Sequence, residues 1–294
     1  MARKVWIEVA LNGPWSRSLQ PGIPDTIDTI VAEGIACAKA GACIVHVHAY
    51  DGGGQQTFDW QVYARIIEGI RTQIDVPVYP TLPSPAIGRS PEAAEPGPRF
   101  IHVEELAKRG LIEFAVIDPG SVNFVDLRTV DGGPAGTVYT NPEAHIRHGL
   151  AFASRYGFHP AYAIYEPGFT RAGAALAKAA GTKVPIYRFM FSETFAWGFP
   201  PKPHHLEAHV RLLSEEDAGA PWMAAGLGVD IRPLIPVAVR TGGHIRVGLE
   251  DAPFGSPLTN LDWVEDAVRE VRRHGAEPAS TSDMRAGMAA ATPR

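Results

Sequence analysis

The chain has 294 residues, 45% hydrophobic and 20% charged, with 27 basic against 32 acidic side chains and a net charge of −5. That composition excludes a disordered or fibrous protein, and the lack of any long run of one charge excludes a dedicated nucleic-acid surface. No 18 apolar residues occur in a row and the first apolar run is too short for a signal peptide, so no membrane span is expected; two cysteines, Cys37 and Cys43, fit a reducing, cytoplasmic setting.

Along the chain, apolar runs of β type alternate with stretches of helical period. VWIEVAL (5–11) is the first run, closed by Asn12-Gly13-Pro14. Residues 25–40 follow with Ile27, Ile30, Val31, Ile35 and Ala38 near a 3.6 period, Asp25 or Thr26 as cap and Gly41 as stop. GACIVHVHAYDGG (41–53) then reads as a buried strand ending in a glycine-rich loop. A helix over 60–72, the strand VPVYPTL (76–82), a Pro- and Gly-rich loop and a helix over 101–109 continue the alternation. IEFAVID (112–118) precedes a long excursion, 121–140, that has the pattern of an added hairpin. A helix over 142–156, with Asn141 as cap and Pro142 in its first turn, leads to PAYAIYE (160–166). Helices over 168–180, 204–215, 232–239 and 260–274 alternate with PIYRFMF (185–191), PWMAAGLG (221–228) and GHIRVGLED (243–251).

About eight strand and helix pairs, with strands apolar on both faces, predict a single (β/α)8 barrel, a doubly wound open sheet being the competing arrangement. No linker divides the chain. One catalytic domain is expected over 1–278, and 279–294 as a capping tail or subunit arm.

Alternate residues of a strand share a face, so His46 and His48 can converge on one point, such as a metal ion. The alternative is two strand histidines bonded to neighbouring polar groups. In a barrel the functional groups gather at the C-terminal strand ends, where Thr81, Asp118, Glu166, Ser192, Glu250 and Asp251 also stand. Two imidazoles and one carboxylate are a common ligand set for catalytic zinc. Glu250 is the expected third ligand, because a continuous strand puts Arg246, Gly248 and Glu250 on one face, with Arg246 two layers deeper; its alternative is a solvated loop start. Asp251 beside Arg246 would be an ionised, fixed carboxylate. With a divalent ion, these are the parts for proton abstraction next to a carbonyl. Other motifs are weaker. GLGVDI (226–231) lacks dinucleotide spacing, Lys183 precedes a strand and so does not suit a Schiff base, and His204, His205 and His209 read as surface residues of a mildly positive rim.

Four segments, AGxxIVHVHxxD (40–51), YEPG (165–168), AAGLG (224–228) and TGGHIRVGLED (241–251), are similar to those of the β-keto acid cleavage enzymes. The resemblance spans nearly the whole chain. It implies a zinc-dependent (β/α)8 barrel that converts a β-keto acid and acetyl-CoA into acetoacetate and a new acyl-CoA. His46, His48 and Glu250 would hold Zn2+, and Arg246 and Asp251 would form the acid–base pair. Thr81 stands where the family's aminohexanoate enzyme has a serine near the substrate. Trp15 and Ala163 replace two acidic residues of that enzyme, so an ammonium group would be desolvated without a partner. Trp15, Tyr162 or Phe199 suit a neutral or apolar side chain, and Arg17 an anionic one. Asp118 replaces a neutral residue, and with Trp15, Thr81 and Glu166 it completes the expected substrate contacts.

The competing activity is that of a metal-dependent barrel hydrolase, disfavoured because strands five to seven end without a histidine; acetyl-CoA dependence separates the two. A non-catalytic scaffold would leave the His pair and the Glu-Asp pair unexplained. Barrels of this size commonly self-associate, and the apolar, Pro-rich stretch 195–203 is a candidate interface or lid, so a homo-oligomer is expected.

Overall fold

Strands that are apolar on both faces need helices on one side and a closed interior on the other. The structure, a computed structural model describing residues 2–83 and 95–291, meets that requirement with one eight-stranded parallel sheet. Its strands are β1 (Ile7–Ala10), β2 (Ile44–Val47), β3 (Val78–Pro80), β4 (Phe114–Val116), β5 (His159–Ile164), β6 (Ile186–Phe191), β7 (Trp222–Gly226) and β8 (His244–Val247). They run in the order β3-β2-β1-β8-β7-β6-β5-β4, and the two outer strands pack against each other to close a barrel. The expected Pro- and Gly-rich loop after Leu82 falls mainly at 84–94, outside the described residues.

The outer ring is α1 (Ile27–Ala40), α2 (Trp60–Arg71), α3 (Gly97–Lys108), α4 (Glu143–Tyr156), α5 (Pro167–Ala180), α6 (Pro203–Glu216), α7 (Ile235–Thr241) and α8 (Asn260–Arg273). Thr26, not Asp25, caps α1, in a capping box with Thr29. Asn141 does not cap α4; its side chain donates to the Gly120 carbonyl and accepts from Arg99, leaving Pro142 in the cap position. The expected helix over 232–239 divides. Arg232–Leu234 forms a 3-10 turn and α7 begins at Ile235, because Pro236 has no N–H to continue an α-helix from Arg232.

Further elements decorate the barrel, among them a short parallel pairing of Lys4–Val5 with Glu277–Pro278. A ribbon of 49–50 and 56–57, not foreseen from the glycine-rich sequence, follows the histidine strand. The 121–140 excursion contains the antiparallel hairpin Val122–Phe124 with Thr137–Tyr139. The tail forms α9 (Thr281–Ala290), which inserts Met284 and Met288 into the core and ties Arg285 to Asp75 and Glu113, below the starts of β3 and β4. Cys37 and Cys43 are buried and free. No helix among the described residues is long and apolar enough to cross a membrane.

Candidate active site

His46 lies in β2 and His48 just beyond it, both buried, with their rings edge to face at 5.3 Å between centroids. The His46 Nε2 and His48 Nε2 atoms each stand 3.5 Å from a different oxygen of Glu250. All three ligand atoms fall within 4.8 Å of one another. Tetrahedral zinc with bonds of about 2.0–2.2 Å requires ligand atoms roughly 3.3–3.6 Å apart, a spacing that the two histidine–glutamate separations meet. The triad's polar atoms support the same reading, because His48 Nε2 and Glu250 Oε2 are buried without a hydrogen-bond partner among the described residues. Burial by itself would raise the Glu250 carboxyl, but His46, Arg246 and His48 outweigh it and hold the group well below its usual value. Burial holds His46 well below its own, against the pull of Glu250. Neutral imidazole and ionised carboxylate are the forms that bind a cation.

The turn that delivers Glu250 is not a continued strand. β8 stops at Val247, Gly248 takes φ +132°, and the Asp251 and Ala252 N–H groups fold back onto the Gly248 carbonyl. Strand periodicity therefore does not place Glu250, and Arg246 is not two layers away. Its Nη2 lies 3.0 Å from Glu250 Oε1, while Nε and Nη2 grip the two Asp251 oxygens at 2.7 and 2.8 Å. The turn is pinned by Asn260, whose Oδ1 accepts from Leu249 N, and by Gln20, which donates to the Leu249 carbonyl. Burial raises Asp251 and Arg246 draws it back, leaving the carboxyl at about 6.

Outer contacts fix His48. Asn12, expected only to close the first strand, accepts from the His48 N–H and donates to the His48 carbonyl. The Gln56 amide lies 2.7 Å from His48 Nδ1. It is the amide nitrogen that faces the ring and donates to Nδ1, which fixes the ring's orientation.

The expected substrate contacts separate into two groups. Trp15 is half-buried, donates its indole N–H to the Glu250 carbonyl and meets Phe254 edge to face at 4.9 Å. Thr81 follows β3 directly, and its carbonyl is held by His102. Asp118 and Glu166 are instead turned into the protein. Asp118 accepts from Ala163 N at 2.6 Å and from the Tyr139 hydroxyl at 2.7 Å, with Arg188 at 3.6 Å, and so anchors the added hairpin. Glu166 accepts from Gly198 N and holds the loop after β6. Ser192 donates to the Leu227 carbonyl.

Three aromatic or imidazole side chains depart from the sequence reading. Tyr162 points outward, donating to the Gly173 carbonyl of α5, because Ala161 and Ala163 take the inward positions of β5. Phe199 stacks on His205 at the start of α6. His209 is buried, not a surface residue, and lies flat against Phe189.

Sequence reasoning also passed over Glu8, Tyr79 and Arg188, which fill the barrel interior below the triad. Glu8 accepts from the Tyr79 hydroxyl at 2.6 Å and from Arg246 Nη1 at 3.0 Å, and Arg188 donates to the same hydroxyl at 3.1 Å. A signal was present. A charged residue inside an apolar strand run, as in WIEVA and IYRFM, has to be paired, and it is the same kind of interruption that drew attention to His46 and His48.

A sequence model described as beta-keto acid cleavage enzyme matches residues 4–289. The chain belongs to the beta-keto acid cleavage enzyme family. It is 24% identical over 269 residues to a 3-keto-5-aminohexanoate cleavage enzyme of Acetoanaerobium sticklandii, covering 90% of each chain. It is 26% identical to a 3-dehydrocarnitine:acetyl-CoA trimethylamine transferase of Rhizobium meliloti, covering 97% of this chain and 96% of that one. ObcA, solved as a binary complex with oxaloacetate, shares the fold with a TM-score of 0.71 at 16% identity, over 92% of this chain and 67% of that chain. As a beta-keto acid cleavage enzyme the chain is a transferase of the Claisen and retro-Claisen type, using acetyl-CoA. This sets the hydrolase reading aside.

Proposed function

We propose that the chain is a zinc-dependent enzyme that condenses a β-keto acid carrying a neutral or anionic side chain with acetyl-CoA, giving acetoacetate and a new acyl-CoA. The observation that carries this reading is the convergence of His46, His48 and Glu250 beside an aspartate gripped by Arg246. The metal would be held by those three side chains and would supply Lewis-acid stabilisation of the charge that develops on the keto oxygen.

The chain's own groups account for the proton. Asp251, at about 6, is mostly ionised at neutral pH and is a base of suitable strength. It takes the C2 proton of the β-keto acid, and the C–H electron pair becomes the enolate. C2 then forms a bond to the acetyl carbonyl carbon and the CoA thiolate leaves. That thiolate attacks the original keto carbon, the C2–C3 bond breaks, and C2 regains a proton from Asp251 as acetoacetate departs. Arg246 keeps Asp251 in one orientation through both transfers.

The side-chain preference rests on Trp15, which sits against Glu250 and presents an indole ring where a carboxylate would be needed to pair an ammonium group, and on Ala163. Arg17 is well exposed and close to Asp25, so an anionic side chain would have to draw it inward. Thr81, Asp118 and Glu166 complete the proposed wall, the latter two by holding the hairpin and the loop after β6. We take the enzyme to be cytoplasmic and a homo-oligomer. The exposed Val125, Leu127, Val130 and Val138 of the hairpin arm support a contact between copies, which sedimentation would test.

The deciding experiment is an assay of acetoacetate formation with a panel of neutral, anionic and cationic β-keto acids, alongside Glu250→Gln and Asp251→Asn. Turnover should require acetyl-CoA, favour neutral acids, and fall at least about 100-fold in both variants. Metal analysis should find zinc in the native protein and Asp251→Asn but not in Glu250→Gln. A preference for a cationic acid would refute the reading of Trp15 and Ala163.

A further inference from the structure

We infer that Glu8 is a positioning residue for the reaction, acting through Arg246 on Asp251. The inference rests on the proposed role of Asp251 as the base. Glu8 sits on the inward face of β1 and is fully enclosed at 1% exposure. A carboxylate removed from water costs several kcal/mol unless well paired, so its place in the barrel needs a reason. Its partners supply one. Oε1 accepts from Arg246 Nη1 at 3.0 Å and from the Tyr79 hydroxyl at 2.6 Å, with Arg188 Nη1 at 3.9 Å.

The Arg246 guanidinium is a rigid plane, and three acidic residues share its edges. Nε and Nη2 meet Asp251, Nη2 also meets Glu250, and Nη1 meets only Glu8 among the described polar contacts. With Asp251 and Glu250 alone, both attractions lie on the upper side, and the plane is free to swing between them. Glu8 holds the opposite corner from another strand, and its own direction is set by Tyr79 of β3. Three strands thus fix the plane, and a fixed plane fixes the Asp251 carboxylate that it grips in two bonds. Misplacement of a reacting group by about 1 Å costs on the order of 100-fold in rate.

The test uses Glu8→Gln, which keeps shape but loses charge, assayed beside wild type, Asp251→Asn, Arg246→Lys and the Glu8→Gln/Arg246→Lys double variant. Glu8→Gln should lower kcat by about 10- to 100-fold and change KM for the β-keto acid by less than about threefold, with zinc content unchanged. In the Arg246→Lys background the same substitution should have little further effect, since a group acting through Arg246 has nothing left to position. A purely structural role would give independent losses that multiply, and that result, or wild-type kcat in Glu8→Gln, overturns the inference. Should Glu8→Gln fold poorly, Tyr79→Phe removes the bond that aims Glu8, together with the Arg188 bond to the same hydroxyl. It should lower kcat several-fold at constant KM, and an unchanged kcat there is equally fatal. Wild-type turnover by Asp251→Asn would instead remove the proposed base itself, which separates failure of that reading from failure of this one.

Discussion

At Gly248 the backbone takes φ +132° and passes so close to β1 that a Cβ would lie 2.2 Å from the Ala10 carbonyl oxygen. Both facts demand glycine. They also explain how the chain can turn at once to bring Glu250 and Asp251 over Arg246. Gly248→Ala should therefore cost at least about 3 kcal/mol and move both carboxylates together. Its melting temperature should fall by several degrees and its zinc content should drop, as read by calorimetry and metal analysis; a variant with normal metal and melting would refute the argument. At this scale the sequence disclosed His46 and His48, because a strand repeats every two residues. Glu250 was legible through the TGGHIRVGLED segment, whereas the period-two argument for it does not describe the turn that carries it.

The helices were legible from period and caps, but not the environment of each face. His209 on α6 illustrates the difference. Its position near a helix start in a polar, histidine-rich segment reads as surface, yet the ring packs between Phe189 and Phe199 with neither nitrogen hydrogen-bonded among the described residues. Burial, reinforced by His205, lowers it to about 4. The folded state thus refuses a proton that the unfolded chain accepts near 6.5. Stability is fully present above about 6.5 and is lost as pH falls from there through about 4, by roughly 3 kcal/mol from this residue. His209→Phe should melt close to wild type at pH 7 and lose less stability on acidification to pH 4.5. Equal acid sensitivity in the two proteins would show that His209 does not titrate in this way. His102, lowered to about 4 by burial although the Thr81 carbonyl contact opposes it, should keep its share of the acid sensitivity in both.

Across the whole molecule, the barrel places its chemistry at one end and its closure at the other. α9 lies under the strand starts, with Met284 and Met288 buried and Gly287 so close to Trp6 that a Cβ would meet the ring at 2.5 Å. We propose that residues 1–278 are the catalytic unit and that α9 is its cap. Removing the cap exposes two buried methionine pockets, worth about 1.5–3 kcal/mol each. The truncated chain should melt at least about 5 °C lower, while kcat measured well below that melting point stays within about twofold. An unchanged melting temperature would mean that the cap adds no stability, and a large fall in kcat would mean that it reaches the site.

The sequence alone determined the alternation of strands and helices, and with it the parallel barrel, because apolar runs buried on both faces admit few other arrangements. It singled out the pair of histidines and, through its family segments, the acidic residues that the fold brings beside them. Tertiary structure decided the rest. Which carboxylates remain free to act depends on partners distant in sequence: Asp118 is taken up by Ala163 and Tyr139, Glu166 by Gly198, and Glu8 becomes part of the site only because Arg246 comes within 3.0 Å of it. Local pattern says that a charge inside a strand must be paired, and only the closed barrel says with what.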